Sequence, residues 1–163
     1  MKQIFSILFI LIPLLSFGQD YQLPNENVII EFFTLKGKKL VVAIDSNNQY
    51  LIYRYGTADN IELTFPEDLT NSWALFQHSF YLRGEGIQNE GMDLDYLYFD
   101  IENFRYVVYQ EYHASTTKVE HGIKVINQDT KEETVIKAKE KTVNGSISKL
   151  RDSEKIRKGD ELF

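Results

Sequence analysis

An apolar residue at every second position, repeated in short runs along most of the chain, constrains this sequence more than any other feature. Ile61, Leu63 and Phe65 alternate with Glu62 and Thr64, and Val119, Ile123 and Val125 alternate with Glu120 and Lys124. A period of two is the period of a strand with one buried face, and the runs are rich in the β-branched and aromatic types that strands favour. The pattern predicts strands over 28–35, 39–45, 50–55, 61–65, 73–83, 93–101, 104–112, 119–127 and 133–138. Compact turn sequences separate them: Lys36-Gly37-Lys38, Ser46-Asn47-Asn48, residues 56–60, Glu102-Asn103 and Gln128-Asp129-Thr130. Links this short join antiparallel neighbours. The expected fold is therefore all-β, a single antiparallel β-barrel or sandwich of about nine to ten strands.

The two ends of the chain depart from that pattern. Residues 1–18 carry one base, Lys2, then a nearly continuous apolar run, then the small residues Ser16 and Gly18. The run is too short to cross a bilayer of ~30 Å as a helix, and the order base, apolar, small is that of a cleaved secretory signal. The expected product is periplasmic or secreted, without a transmembrane segment in the mature chain. The antiparallel β domain is expected over 19–145. Asn144-Gly145 announces a turn, and residues 146–163 form a charged tail; one short strand or turn is expected over 146–150 and a partly ordered end beyond it.

Composition excludes several classes of function. The sequence has no cysteine, which removes disulfides, thiol catalysis and thiolate metal sites, so its stability rests on burial. A formal net charge of −6 argues against nucleic acid as a partner through bulk charge. Acids outnumber bases up to residue 127, and the two balance after it.

The stretch YLRGEGIQNEGMDLDYLYFD, residues 81–100, holds three glycines followed by acids. A dinucleotide fingerprint needs G-x-G-x-x-G between a strand and a helix. Here Gly84, Gly86 and Gly91 have the wrong spacing, and a strand pattern follows. A calcium loop of the EF-hand kind would continue its alternating acids past Asp93 and Asp95, where Leu97 and Tyr98 stand instead. Residues 84–91 read as a long connection between strands. Such a loop is either plain linkage or a binding loop on a rigid scaffold. Arg83, Glu85, Asn89, Asp93 and Asp95 supply it with hydrogen-bonding groups of both signs, a set suited to a sugar or a peptide edge.

Residues 93–112 read as a hairpin closed over Glu102-Asn103. Its parity puts Leu97, Phe99, Ile101, Phe104, Tyr106 and Val108 on one face, which is core-like, and Tyr96, Tyr98, Asp100, Arg105, Tyr109 and Glu111 on the other. The second face is either a solvated strand surface or an exposed aromatic platform for sugar rings or side chains. Tyr81, on the strand before the loop, extends it. The candidate binding residues are thus Arg83, Glu85, Asn89, Asp93, Asp95, Tyr81, Tyr96, Tyr98, Arg105 and Tyr109.

Signals for catalysis are weak. His78, His113 and His121 are the only histidines; none is at helical zinc spacing, although His113 and His121 flank one loop and stand where they can approach each other. No G-x-S-x-G nucleophile turn is present. Acids such as Glu85, Asp93 and Asp95 leave a carboxylate pair for glycoside hydrolysis open. No catalytic residue, no metal and no cofactor is assigned.

The succession YLIYRYGTADNIELTFP, SFYLRGEGIQNEG and DYLYFDIENFRYVVYQEY, spanning residues 50–112, resembles a group of small exported all-β proteins of Gram-negative bacteria. The resemblance implies an exported all-β domain and no chemistry. A looser similarity is to the periplasmic β-barrels that inhibit lysozymes, although their S-G-x-x-Y loop motif is absent here. The combined expectation is a non-enzymatic binding module for a protein or glycan of the cell envelope. The alternatives are an envelope glycan hydrolase and a purely structural envelope protein.

Overall fold

The computed structural model describes residues 20–84 and 86–162; the signal expected over 1–18 lies outside them. The chain is all-β and builds two sheets. The first contains β1 (Glu26–Phe33), β2 (Lys39–Asp45), β3 (Leu51–Thr57) and β4 (Asn60–Phe65). The second contains β5 (Gln77–Arg83), β6 (Met92–Ile101), β7 (Phe104–His113), β8 (Lys118–Asn127) and β9 (Glu133–Lys137). Two dipeptide strands from the end of the chain, β10 (Asn144–Gly145) and β11 (Arg157–Lys158), complete the orders β10-β1-β2-β3-β4 and β11-β5-β6-β7-β8-β9. All pairings are antiparallel except β11 with β5.

The sheets pack face to face as a sandwich rather than closing into a barrel. One side is stitched: Thr34 bridges Ala138, Leu35 N–H donates to Lys137 C=O at 3.0 Å, and Lys139 N–H donates to Phe33 C=O at 2.7 Å. Between the sheets lie Phe32, Leu40, Val42, Leu51 and Tyr53 from the first and Leu97, Phe99, Val108 and Ile123 from the second, all buried. Phe99 is the hub, stacked 4.1 Å from Phe65 and 5.3 Å from Tyr106, with Tyr53 edge-on at 5.0 Å. The turn over Glu102-Asn103 has two residues, so Asp100 pairs with Arg105 and the predicted hairpin parity holds.

A bulge in β1 between Val28 and Ile30 switches which face its residues address. Ile30 and Phe32 enter the core, whereas Val28 joins Tyr21, Val41, Ala43, Tyr50 and Ile52 in a second layer on the outside of the first sheet.

Two expectations are corrected. The strand foreseen over 73–83 begins only at Gln77, because Ser72–Leu75 forms a 3₁₀ turn entered through Asn71 at φ 57° and tied down by Trp73 Nε1–H donating to Asn48 C=O at 3.1 Å. The turn expected over 146–150 is present, and the end beyond it is packed where partial order was expected. Ile147 and Leu150 lie on the 3₁₀ turn Ile147–Leu150 and are buried, as is Ile156. Their spacing follows a three-residue turn, so a search for period two passes over them.

Candidate binding face at the open end of the second sheet

Strands β6, β7 and β8 have ten residues each, against six to eight in β1 to β4. The second sheet therefore runs past the first, and its inner face changes character row by row. His78, Leu97, Val108 and Ile123 form one cross-strand row, buried throughout. The next row is Phe80, Asp95, Gln110 and His121, and the one after it is Leu82, Asp93, Tyr112 and Val119. Phe80 is 41%, Leu82 54% and Val119 41% exposed, so apolar side chains that sit on the core side of their sheet have no sheet above them.

Asp95 stands on the border between core and open end, and it is completely buried. Arg151, from the end of the turn Ile147–Leu150, donates through Nε to Asp95 Oδ1 at 2.9 Å and through Nη2 to both Asp95 Oδ2 and Asp93 Oδ1. His78 Nε2 stands 3.2 Å from Asp95 Oδ1. Burial alone would raise the carboxyl of Asp95, but the bonds from His78 and Arg151 outweigh it and hold it below the ordinary carboxylate range. An ionised carboxylate only accepts, so His78 Nε2 carries the proton. Ser146 Oγ–H donates to Gln110 Oε1 at 2.9 Å and anchors the tail segment beside this cluster.

The glycine loop closes the open end. Gly91 N–H donates to Gly86 C=O at 2.8 Å, and Ala114 N–H donates to Gly91 C=O at 2.8 Å. Gly86 sits at φ 69°, where a side chain is strained. Arg83 clasps the loop: Nε and Nη2 donate to Glu90 C=O at 3.0 and 2.8 Å, and Nη2 meets the Glu90 carboxylate at 3.2 Å. A cavity of about 360 Å³ lies against it, lined by Leu82, Gly84, Gly86, Met92, Asp93 and Tyr112.

The sequence-predicted residues thus divide between the two sides of the sheet. Arg83, Asn89, Asp93 and Asp95 belong to the open end or its loop, while Glu85 lies outside the described residues. Tyr81, Tyr96, Tyr98, Arg105 and Tyr109 are on the opposite face, so no single surface joins the two sets.

Among the described residues no exposed aromatic platform exists there, and its hairpin tyrosines are not solvated. Tyr96, Tyr98 and Tyr109 are buried, because the tail and two long cations cover them. Asp160 N–H donates to Tyr98 Oη at 2.5 Å, Leu162 packs on the same cluster, and a Cβ on Gly159 would collide with the Tyr98 phenol. Gly122 leaves room for the Tyr109 ring in the same way. The Arg105 guanidinium lies 4.6 Å from the Tyr98 ring centroid while bonded to Asp100 at 2.8 Å. Lys124 Nζ lies 5.4 and 5.0 Å from the Tyr96 and Tyr109 rings and donates to Glu111 at 2.8 Å. Burial, then the carboxylate of Glu111, pushes the Tyr109 hydroxyl up to about 12.

His113 and His121 do not approach as a ligand pair. They occupy opposite faces of the sheet, and His121 Nδ1 is 2.7 Å from Glu140 Oε2. The residues that sequence reasoning missed are Phe80, Leu82, Tyr112, Val119, His78 and Arg151. For Phe80 and Leu82 the parity was visible and the missing cover was not; for Arg151, 56 residues from Asp95, no local signal exists. Compared with family models, curated proteins and solved structures, the chain matches none of them.

Proposed function

We propose that this protein is an exported, non-enzymatic binding module that holds a protein of the cell envelope against the open inner face of its second sheet. The observation that carries the proposal is the exposure of Phe80, Leu82 and Val119 on the core side of a strand row that no second sheet covers. Leu82 and Val119 are aliphatic, and beside a clasped loop they suit the apolar side chains of a protein. A glycan is the less favoured ligand, because sugar rings stack on free aromatic faces: Tyr96, Tyr98 and Tyr109 are buried, and the Phe80 ring already has His78 at 6.0 Å and the Arg151 guanidinium at 5.1 Å. Export is proposed from the composition of residues 1–18, and no helix among the described residues is long and apolar enough to cross a membrane.

A glycan hydrolase built on Asp93 and Asp95 is disfavoured. Such an enzyme needs one protonated carboxyl and one carboxylate directed at the sugar. Here both carboxylates turn toward one guanidinium, and Asp95 is held ionised. The test is recovery of partners from envelope extract on immobilised protein, set against the double variant Leu82→Ser/Val119→Ser, with a glycan array in parallel. The proposal expects a saturable protein partner that the double variant loses. Equal recovery by both forms, or binding of a glycan alone, contradicts it.

A further inference from the structure

The edge of β5 beside this face is left open, and its geometry assigns a mode of recognition. β11 pairs with only the first two residues of β5, Gln77 and His78. Gly159 N–H then donates to His78 C=O at 2.9 Å, which shows that His78 turns its backbone outward, away from β6. In an antiparallel ladder residues alternate between bonding the neighbour and facing the other way, and β5 pairs with β6 without a shift in register. Phe80 and Leu82 therefore also turn N–H and C=O outward. The chain that would cover them leaves at Gly159 for the outer face, where Asp160 N–H meets Tyr98 Oη.

An edge of this kind is normally protected by proline, an inward charge, a bulge or an overlying segment. Among the described residues no proline, bulge or paired strand stands at Phe80 or Leu82, and both apolar side chains are exposed. Two cavities open on the inner side of the edge. One, about 260 Å³, is bordered by His78, Phe80, Arg151, Arg157 and Lys158; the other is the cavity beside Leu82. Alternate side chains of an added strand, ~7 Å apart, would all face that side.

Charge selects the occupant. Arg151 and Arg83 are already paired with Asp93, Asp95 and Glu90. Arg157 and Lys158 are exposed and make no ion pair among the described residues. Glu154 shares their cavity wall, which leaves two cations to one acid in a protein of net charge −6.

We propose that the open edge of β5 at Phe80 and Leu82 takes an extended peptide segment as an added strand, with two acidic side chains at its end beside β11 held one by Lys158 on the inner face and one by Arg157 on the outer. This rests on the binding reading above and names the partner's chemistry: a strand-forming segment, apolar on one side, that carries Asp or Glu.

The test is a titration of the ¹⁵N-labelled protein with blocked peptides of alternating valine and threonine. One peptide ends in two glutamates, one in two lysines, and one repeats the glutamate sequence with alternate amides N-methylated. The expected result is movement of the Phe80 and Leu82 amides with the glutamate peptide, about tenfold weaker binding of the lysine peptide, and none of the methylated one. Arg157→Glu/Lys158→Glu should reverse the charge preference. Leu82→Pro removes an outward N–H without touching a bond to β6, so it should abolish binding with an unchanged far-UV spectrum.

The proposal is overturned if no peptide moves these amides, if the methylated peptide binds as well, or if Leu82→Pro binds like wild type. Concentration-dependent shifts of the same amides in the protein alone would assign the edge to a second copy of the chain and overturn it too. If Leu82→Pro keeps an envelope partner that Leu82→Ser/Val119→Ser loses, the strand proposal fails and the binding face stands. If the double variant also keeps that partner, the face itself is wrong.

Discussion

Glu26 and Asp95 are both buried acids gripped by an arginine, and their surroundings differ in one respect that matters. Glu26, on the outside of the first sheet, receives Arg54 Nη1 and Nη2 at 2.6 and 2.8 Å, Tyr50 Oη–H at 3.0 Å and Leu23 N–H at 2.8 Å. Arg54 also donates to Tyr21 C=O at 3.0 Å. The pair is sealed by the segment before β1. Asp95 has three bonds to the four of Glu26, and its arginine comes from the tail, is shared with Asp93, and borders an open shelf. A saturated, covered ion pair fixes one element to another; one at the rim of uncovered sheet fixes the boundary between core and binding face.

If that contrast is right, removing each arginine gives different losses. Arg54→Ala strands Glu26 in an apolar layer without a route to water, and thermal unfolding should show a loss of about 3–5 kcal/mol. Arg151→Ala leaves Asp95 with His78 and lets water in from the shelf, so the cost should be about 1–3 kcal/mol. Equal losses would break the comparison.

Acid sharpens it next. For Glu26, too, burial pushes the carboxyl up and is outweighed by Arg54, the Leu23 amide and Tyr50, so its folded value lies below the ordinary range. A depressed carboxylate stabilises the fold above the ~4 at which the unfolded group titrates, and that stability disappears as pH falls through the lower folded value. The unfolding midpoint should therefore drop below about pH 4, and Glu26→Gln/Arg54→Met should flatten that limb. An unchanged limb would mean that other carboxylates set it. The smallest effect on stability belongs to Leu82→Ser. This residue is 54% exposed, so the melting temperature should move by no more than about 0.5 kcal/mol allows while partner binding is lost.

What the sequence made visible was local. Alternation and turn residues placed β2 and the parity of the hairpin over Glu102-Asn103, because the period and the turn are properties of neighbours; which residue faces Arg105 followed only from the structure. Coverage is not such a property. Tyr98 reads as a surface tyrosine until Gly159 and Asp160 arrive from about 60 residues away, and Phe80 reads as core until the first sheet proves too short to reach it. Asp93 and Asp95 were singled out for their charge. That they share Arg151 depends on a 3₁₀ turn in the tail whose period differs from that of the strands around it.

The most direct test of the binding face uses two valines of nearly equal exposure on opposite sides of the second sheet. Val119, 41% exposed, is on the open inner face, and Val135, 45% exposed, is on the outer face opposite Lys124. A photoreactive benzoylphenylalanine at each position, irradiated in envelope extract, reports what lies within reach. A discrete protein adduct at position 119 with none at 135 is the result predicted here. Adducts of equal yield at both positions, or at 135 alone, would contradict a partner on the inner face.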